Sequence, residues 1–251
     1  MSAILGAVGA ASKFNPLLVD WHVMYYPGGD AFQSQGYTNN QVLNVGEPIP
    51  DETVASDDLV ALAGATETTL TYVASSNVNG RPAIRGADTA GDQPDYTVTF
   101  TAPLLADATG YSVVAVWNQG AQTNHAFSAL FHDSVNRSKF RVLVEDDGAM
   151  SIYFGGTAYY PTAGTISVGT THAIRCFADN TASTAHVDAT QVVTAGAGDT
   201  LTGLDAFNQQ ATSWPFSGDL AFVGVYEGDV TGDANWAMFK NWADAEFDCT
   251  I

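Results

Sequence analysis

The stretch that decides the fold is residues 96–117, which read YTVTFTAPLLADATGYSVVAVW. In residues 96–101, large apolar side chains alternate with threonine, a pattern typical of a β-strand with one buried face. Residues 111–117 are almost continuously apolar, which predicts a strand at the centre of a sheet. The two runs together indicate a β protein whose strands are buried to different extents.

The two-residue period of this stretch recurs along the chain. It predicts further strands at residues 20–26, 41–45, 126–131, 138–144, 149–154, 172–178, 184–188, 191–194 and 218–226. Turn signals separate these runs, and the clearest is Asp146-Asp147-Gly148, which lies between two alternating runs and predicts a hairpin.

Helical periodicity is strongest near the C-terminus. In residues 233–247 an apolar stripe recurs at three- and four-residue spacing, which predicts an amphipathic helix packed on the sheets. The stripe consists of Trp236, Phe239, Ala243 and Phe247. A short second helix is expected near residues 57–62. Many strands, few helices and frequent turns favour an all-β antiparallel two-sheet sandwich, or jelly roll, over an alternating α/β fold.

Composition excludes several classes of function. The 251 residues include 27 acidic residues and only 8 Lys and Arg, which gives a formal net charge of −19. Phosphate contacts need clustered cations, so we expect no nucleic-acid partner. No run of about 18 apolar residues occurs, so we expect no membrane span. With 46% hydrophobic residues the chain can nevertheless build a core.

The N-terminal segment, the remainder of the chain and the two cysteines each lead to a structural prediction. Residues 1–16 form a small-residue apolar arm that we expect to anchor the chain to a neighbouring subunit, although packing along its own domain is the alternative. The apolar residues of this arm are Ile4, Leu5, Val8 and Phe14. It is similar to the apolar region of a signal peptide, but the basic residues that precede such a region are missing. Residues 17–251 are expected to form one sandwich domain, closed by the helix at about 233–247. Cys176 and Cys249 fit either two free thiols or one bridge.

Three segments resemble the concanavalin A-like lectin/glucanase sandwich in its laminin-G-like form, as found in virion proteins of tailed viruses. They are residues 71–85 (TYVASSNVNGRPAIR), the strand pair 96–101 and 111–117, and residues 216–231 (FSGDLAFVGVYEGDVT) with the helix that follows. The resemblance implies two antiparallel sheets of six or seven strands packed face to face. It also implies a location on the virion surface, capsid or tail, in a homo-oligomer or other multicopy assembly with further virion proteins.

Catalytic carboxylates are not apparent in the sequence. Retaining glucanases of this fold carry Glu and Asp at alternating positions of one strand, so that a carboxylate pair shares one face. The glutamates here are Glu47, Glu52, Glu67, Glu145, Glu227 and Glu246, and none forms that pattern. Glu145-Asp146-Asp147 is the nearest acidic cluster, but it falls in the predicted hairpin turn. We therefore expect that the protein is not an enzyme.

Two binding sites remain as candidates. Asp88, Asp92 and Asp95 share one loop and could supply hard oxygen ligands to calcium, the only cofactor the sequence leaves open, although loop carboxylates are usually solvated. Tyr159, Tyr160 and Trp214 could provide aromatic platforms for a glycan, although aromatic residues near strand ends usually cover the rim of the core.

Three hypotheses about function follow from these observations. The leading one is a non-enzymatic structural virion protein: a capsid decoration, head-fibre or tail-associated subunit that displays a lectin-like sandwich. The alternative is an adhesin module that binds a surface glycan or host receptor. A glycoside hydrolase ranks last, because the carboxylate pattern is missing.

Overall fold

The computed structural model describes residues 15–28, 41–42, 59–61, 71–86, 96–104, 109–123, 126–161, 165–206 and 214–251, and it confirms the predicted all-β class. The strands are β1 (Val23–Tyr25), β2 (Gln41–Val42), β3 (Leu59–Ala61), β4 (Thr71–Val73), β5 (Ala83–Gly86), β6 (Tyr96–Leu104), β7 (Tyr111–Gln119), β8 (Phe127–His132), β9 (Phe140–Glu145), β10 (Met150–Phe154), β11 (Thr157–Tyr159), β12 (Thr171–Ala178), β13 (Thr184–Val187), β14 (Thr190–Thr194), β15 (Leu201–Ala206) and β16 (Gly218–Glu227). The same described residues contain one α-helix, α1 (Trp236–Phe247), and two 3₁₀ turns, Pro16–Leu18 and Val230–Gly232.

Two antiparallel sheets form the sandwich. Sheet I has the order β14-β13-β12-β7-β16-β5-β4, and β1 joins it by pairing with β16. Sheet II has the order β11-β10-β9-β8-β15-β6-β3-β2. Within the described ranges each sheet therefore has eight strands, where the sequence resemblance implied six or seven. The predicted two-sheet antiparallel arrangement is confirmed.

The core lies between the sheets and centres on β7. All nine residues of β7 are buried, as expected for its continuously apolar sequence. Tyr111 of this strand meets Phe140 of sheet II edge to face, with ring centroids 5.8 Å apart. Phe140 in turn stacks with Phe131 at 5.8 Å, so aromatic contacts join the two sheets.

A second apolar layer covers the outer face of sheet I. Phe239, Ala243 and Phe247 of α1 are fully buried, which confirms the predicted packing of the helix on the sandwich. Trp21 lies between the helix and the sheet, with its ring 5.1 Å from that of Phe239 and 5.6 Å from that of Phe222. At β7 and along most of β16, sheet I is therefore buried on both faces.

Glycine is required where Trp21 crosses sheet I. A Cβ atom at Gly224 would lie 2.7 Å from the Trp21 ring, closer than any side chain tolerates. Gly224 also pairs with Met24 of β1. The absence of a side chain at Gly224 therefore allows the Trp21 ring to pack on the face of β16 while β1 pairs along the edge of that strand.

Several sequence expectations need correction. The helix expected near residues 57–62 is wrong, because residues 59–61 form β3, whose backbone pairs with β6 and β2. Pairing with neighbouring strands outweighs weak local helix propensity in such a short segment. The helix α1 begins at Trp236 rather than near 233, because Asp233 lies in the preceding turn and accepts a hydrogen bond from the Asn235 amide at 2.7 Å. Sequence periodicity also missed β4, β5, β11 and β15.

Cys176 and Cys249 are both free thiols, so the bridge considered from the sequence does not form. Among the described residues, no helix has the length and the apolar character needed to cross a membrane.

Candidate functional site

The outer face of sheet II carries the most distinctive cluster of side chains. On β9, Phe140 contacts sheet I, so the alternate residues Val142 and Val144 also face the core. Arg141, between them in sequence, therefore faces away from the core. Its cross-strand neighbours are His132 on β8 and Tyr153 on β10, so polar and aromatic side chains form a row across three strands.

Arg141 lies at the centre of this row. Its guanidinium carbon is 3.8 Å from the centre of the Tyr153 ring and 5.7 Å from that of the Trp214 ring. Arg141 is 8% exposed. Burial lowers the pKa of Arg141, the nearby positive charge of Arg137 lowers it further, and interactions with Tyr153 partly oppose both. The guanidinium is thus held in an environment that disfavours its charge.

Trp214 reaches this face from the segment that precedes β16. Its carbonyl oxygen accepts a hydrogen bond from the Ala129 amide at 3.3 Å. The Ser217 amide donates to the Ser128 hydroxyl oxygen at 3.0 Å. These two bonds hold residues 214–217 beside β8. The half-buried Trp214 ring then lies 4.6 Å from that of Phe127, tilted by 41°.

Tyr159 and Tyr160 point to opposite sides of sheet II. Tyr159 pairs with Ile152, packs 6.4 Å from the core ring of Phe154, and its hydroxyl oxygen accepts a hydrogen bond from the Gly196 amide at 3.1 Å. Tyr160 is 67% exposed, and a hydrogen bond with the Tyr153 hydroxyl raises its pKa. The structure therefore brings Tyr160 and Trp214 to one face and places Tyr159 on the other.

We call Phe127, Arg141, Tyr153, Tyr160 and Trp214 the aromatic–arginine cluster. Flat rings can stack on the apolar face of a pyranose, and the guanidinium and hydroxyl groups can hydrogen bond to its polar edge. Apolar and aromatic side chains with a few fixed polar groups commonly line small-ligand sites.

Sequence reasoning missed Arg141, Tyr153 and Phe127 as members of the cluster. A signal was present: the hairpin turn at Asp146-Asp147-Gly148 sets the register in which Met150 faces Val144 and Tyr153 faces Arg141. Both residues are outward positions of predicted strands. The approach of Phe127 to Trp214 has no such local signal, because it depends on the long-range placement of the segment before β16.

One acidic side chain near the site, Asp133, stabilises the surrounding structure. Asp133 is 1% exposed and accepts hydrogen bonds from the amides of Val135, Asn136 and Thr202 and from the Thr202 hydroxyl. It therefore ties the loop between β8 and β9 to β15. Glu145 has a raised pKa, because of burial first and then the charges of Asp147 and Asp146.

The structure does not describe the proposed calcium ligands or the apolar arm. Asp88, Asp92 and Asp95 lie outside the described residues, as do Ile4, Leu5, Val8 and Phe14. In the part of the chain that the structure describes, no three or more His, Cys, Asp or Glu side chains converge to hold a metal ion.

Comparison with known proteins identifies the fold. No family model and no curated protein sequence matches the chain. Among solved structures, Trypanosoma rangeli sialidase in complex with the inhibitor DANA matches with a TM-score of 0.51 and 8% identity, over 86% of this chain and 31% of the sialidase. Its complex with 2,3-difluoro-KDN matches with a TM-score of 0.52 and 9% identity, over 90% of this chain and 33% of the sialidase. Domain 4 of a GH43 extracellular arabinanase from Geobacillus stearothermophilus, in complex with arabinotriose, matches with a TM-score of 0.47 and 14% identity, over 70% of this chain and 82% of that domain.

The chain spans about a third of the length of the sialidases that it matches. At these identities the likeness concerns the fold and no more. Together with the two antiparallel sheets, it shows that this chain adopts a concanavalin A-like jelly-roll sandwich fold.

Proposed function

We propose that this domain binds glycans through the aromatic–arginine cluster and does not hydrolyse them. The observation that carries the proposal is the convergence of aromatic side chains on one surface of the sandwich. Tyr153 on β10, Tyr160 after β11 and Trp214 before β16 come from separate parts of the chain and meet around Arg141 on the outer face of sheet II.

The physical argument rests on how the rings are held. Tyr153 and Arg141 stand on paired strands, so their positions are set by the sheet rather than by a loop. Tyr160 has 67% of its surface exposed, and Trp214 and Phe127, which contact each other, are half-buried. A sugar ring that covered these surfaces would remove apolar area from water without first ordering the protein.

Binding is tested on a glycan array with wild-type protein and two substitutions, Trp214→Ala and Tyr160→Ala. Both substitutions should abolish or strongly weaken the signal. Met238→Ala is the matched control, because Met238 is 49% exposed on α1, which covers the other sheet. Wild-type protein that binds no glycan, or a Trp214→Ala variant that binds as wild type, would contradict the proposal.

The absence of hydrolysis is a proposal with its own test. It is supported by the sequence, which lacks the alternating carboxylate pattern of retaining glucanases. Glycans that bind on the array are incubated with the protein, and new reducing ends are measured over time. Release of reducing ends that disappears in heat-denatured protein would show that the domain is an enzyme.

A virion setting, expected from the sequence resemblance, is compatible with this site and stays a prediction. In that setting the domain would be a structural subunit whose cluster attaches the particle to a surface glycan. Particles purified from a host are the direct test: the chain should be found in them by mass spectrometry, in multiple copies. Removal of residues 1–16 should prevent its incorporation.

A further inference from the structure

Arg175, on β12, differs from the basic side chains that pair with carboxylates of the protein. The paired ones are Arg81, Arg85, Lys139 and Lys240. Arg175 is half-buried, and within the described residues its guanidinium makes neither a hydrogen bond nor an ion pair. It lies over the ring of Trp236, with the guanidinium carbon 5.8 Å from the ring centre. Although the chain has a net charge of −19, its described part gives this cation an aromatic neighbour and no counter-ion.

A second titratable side chain, His186, lies directly beside Arg175. The two residues are paired across β12 and β13. Cross-strand partners of this kind share one face of a sheet, with their Cβ atoms about 5 Å apart. Arg175 also pairs with Val114 of β7, which alternates with the core-facing Tyr111. Arg175 and His186 therefore lie on the outer face of sheet I, the face that α1 covers in part.

The imidazole of His186 also lacks a partner in the described part of the protein. Its Nδ1 atom is buried and makes no hydrogen bond there, whereas buried polar atoms are usually hydrogen bonded. Gln191, its neighbour on β14, donates instead to the Thr194 hydroxyl oxygen at 2.7 Å. The ladder between β13 and β14 shifts register at Ala185 and His186, and such bulges often redirect a side chain near a functional site.

The charges around this pair favour an incoming anion. Burial lowers the pKa of Arg175, and burial together with the charge of Arg175 lowers the pKa of His186. The charge of Asp229 opposes both shifts, but the Asp229 carboxylate accepts hydrogen bonds from the amide and the hydroxyl of Thr231. A bound anion would stabilise the charged forms of both Arg175 and His186.

We propose that Arg175 and His186 form a second binding site, which takes a carboxylate or sulfate group of a ligand beside the Trp236 ring. The guanidinium presents a planar fork of donors that matches two oxygen atoms of such a group. The imidazole supplies a further donor from the neighbouring strand. This site does not depend on the proposed glycan binding, because the aromatic–arginine cluster lies on the outer face of the other sheet.

The test uses inorganic sulfate and acetate as probes, each compared with sodium chloride at the same ionic strength. The protein is labelled with ¹⁵N-histidine, its imidazole signals are followed by NMR, and His186→Gln identifies the signal of His186. We expect a saturable shift of that signal with sulfate, with acetate or with both, and none with chloride. The two probes distinguish a site for sulfate groups from a site for carboxylates.

Substitutions at Arg175 locate the effect while the His186 signal remains the readout. Arg175→Gln should weaken binding about tenfold or more, because it removes the charged donors. Arg175→Lys keeps the charge without the planar fork and should bind with intermediate affinity, which tests the proposal even where Arg175→Gln perturbs folding. Arg81→Gln is the control, because it removes an equal charge near the other end of α1, where Arg81 pairs with Glu246.

Two results would overturn the proposal. One is a His186 signal that responds to sulfate and acetate no more than to chloride. The other is binding with the same affinity in wild type, Arg175→Gln and Arg175→Lys. Either result leaves glycan binding intact, since that function is tested separately through Trp214 and Tyr160.

Discussion

Arg141 and Tyr153 face each other across β9 and β10, and the guanidinium carbon of Arg141 lies 3.8 Å from the centre of the Tyr153 ring. A cation over an aromatic face is attracted by the negative charge density of the ring. The pair therefore contributes to the stability of sheet II and also fixes the centre of the candidate binding surface.

We expect Tyr153→Ala to lower the free energy of unfolding by about 1 kcal/mol, because it removes the ring beneath the guanidinium. Tyr153→Phe keeps the ring and should cost less than about 0.5 kcal/mol by the same argument. Urea denaturation followed by fluorescence measures both. Equal losses in the two variants would show that the hydroxyl, rather than the ring, matters.

A second prediction concerns the ion pair of Arg85 and Asp219 on sheet I. Asp219 is 1% exposed, and its carboxylate accepts hydrogen bonds from Arg85 Nε at 2.6 Å, from the second Arg85 nitrogen at 2.7 Å and from the Asn77 amide at 2.9 Å. Arg85→Met leaves this carboxylate buried with one donor, so we expect a loss of about 3 kcal/mol.

Arg81→Met is the control for this prediction. Arg81 pairs with Glu246 at 3.2 Å, but the Glu246 side chain is 20% exposed and that of Asp219 only 1%, so we expect a loss of about 1 kcal/mol or less. Chemical denaturation of both variants gives the comparison. An Arg85→Met variant no less stable than Arg81→Met would mean that water, or a shift of the backbone, replaces the guanidinium.

A third prediction concerns alkaline pH. Burial raises the pKa of the Cys249 thiol from 9.0 to about 12, and burial raises the pKa of the Cys176 thiol as well. Below about pH 9 both thiols stay protonated in the folded and the unfolded chain. Above it the unfolded chain releases these protons and the folded chain keeps them, so stability falls as pH rises.

The fall should reach about 1.4 kcal/mol per pH unit for each thiol. Thermal unfolding between pH 7 and pH 10.5 measures it, and Cys249→Ala should make the decline shallower. At neutral pH the native protein should react slowly with a thiol reagent and yield two thiols only in denaturant. Rapid labelling of the native protein would show that Cys249 is accessible as a thiolate.

A fourth prediction concerns the layer formed by α1. Phe239 is fully buried, 5.1 Å from Trp21 and 5.2 Å from Phe222 between ring centroids. Phe239→Ala leaves a cavity there and should cost about 3–5 kcal/mol. Met238→Ala, on the exposed side of the same helix, should change stability by less than about 0.5 kcal/mol. Similar unfolding midpoints for the two variants would show that the helix contributes little.

How much of this could be predicted from the sequence depends on how local each feature is. The hairpin of β9 and β10 was predictable, because Asp146-Asp147-Gly148 and the alternating runs beside it are neighbours in the chain. The central position of β7 was predictable from its continuous apolar run. The strand β3 was not, because its conformation depends on pairing with β6 and β2 rather than on its own residues.

The candidate site was predictable only in part. Tyr160 and Trp214 stood out as aromatic residues near turns, and the structure places both on one face. The opposite orientation of Tyr159 follows from strand alternation once β11 is known, but β11 is three residues long and gives no periodic signal. The contact of Trp214 with Arg141 depends on the order of β8, β9 and β15 in sheet II, which no local pattern specifies.

The pairing of β16 with β1, β5 and β7 has a consequence for synthesis on the ribosome. The three partners are translated first, and the strand that joins them follows only after β8 to β15. Until residues 218–227 leave the exit tunnel, β1 and β5 cannot be joined to β7 through β16, and β7 has a paired strand at one edge only. The nascent chain therefore stays partly unpaired until β16 is made, and contacts of such long sequence separation favour slow folding.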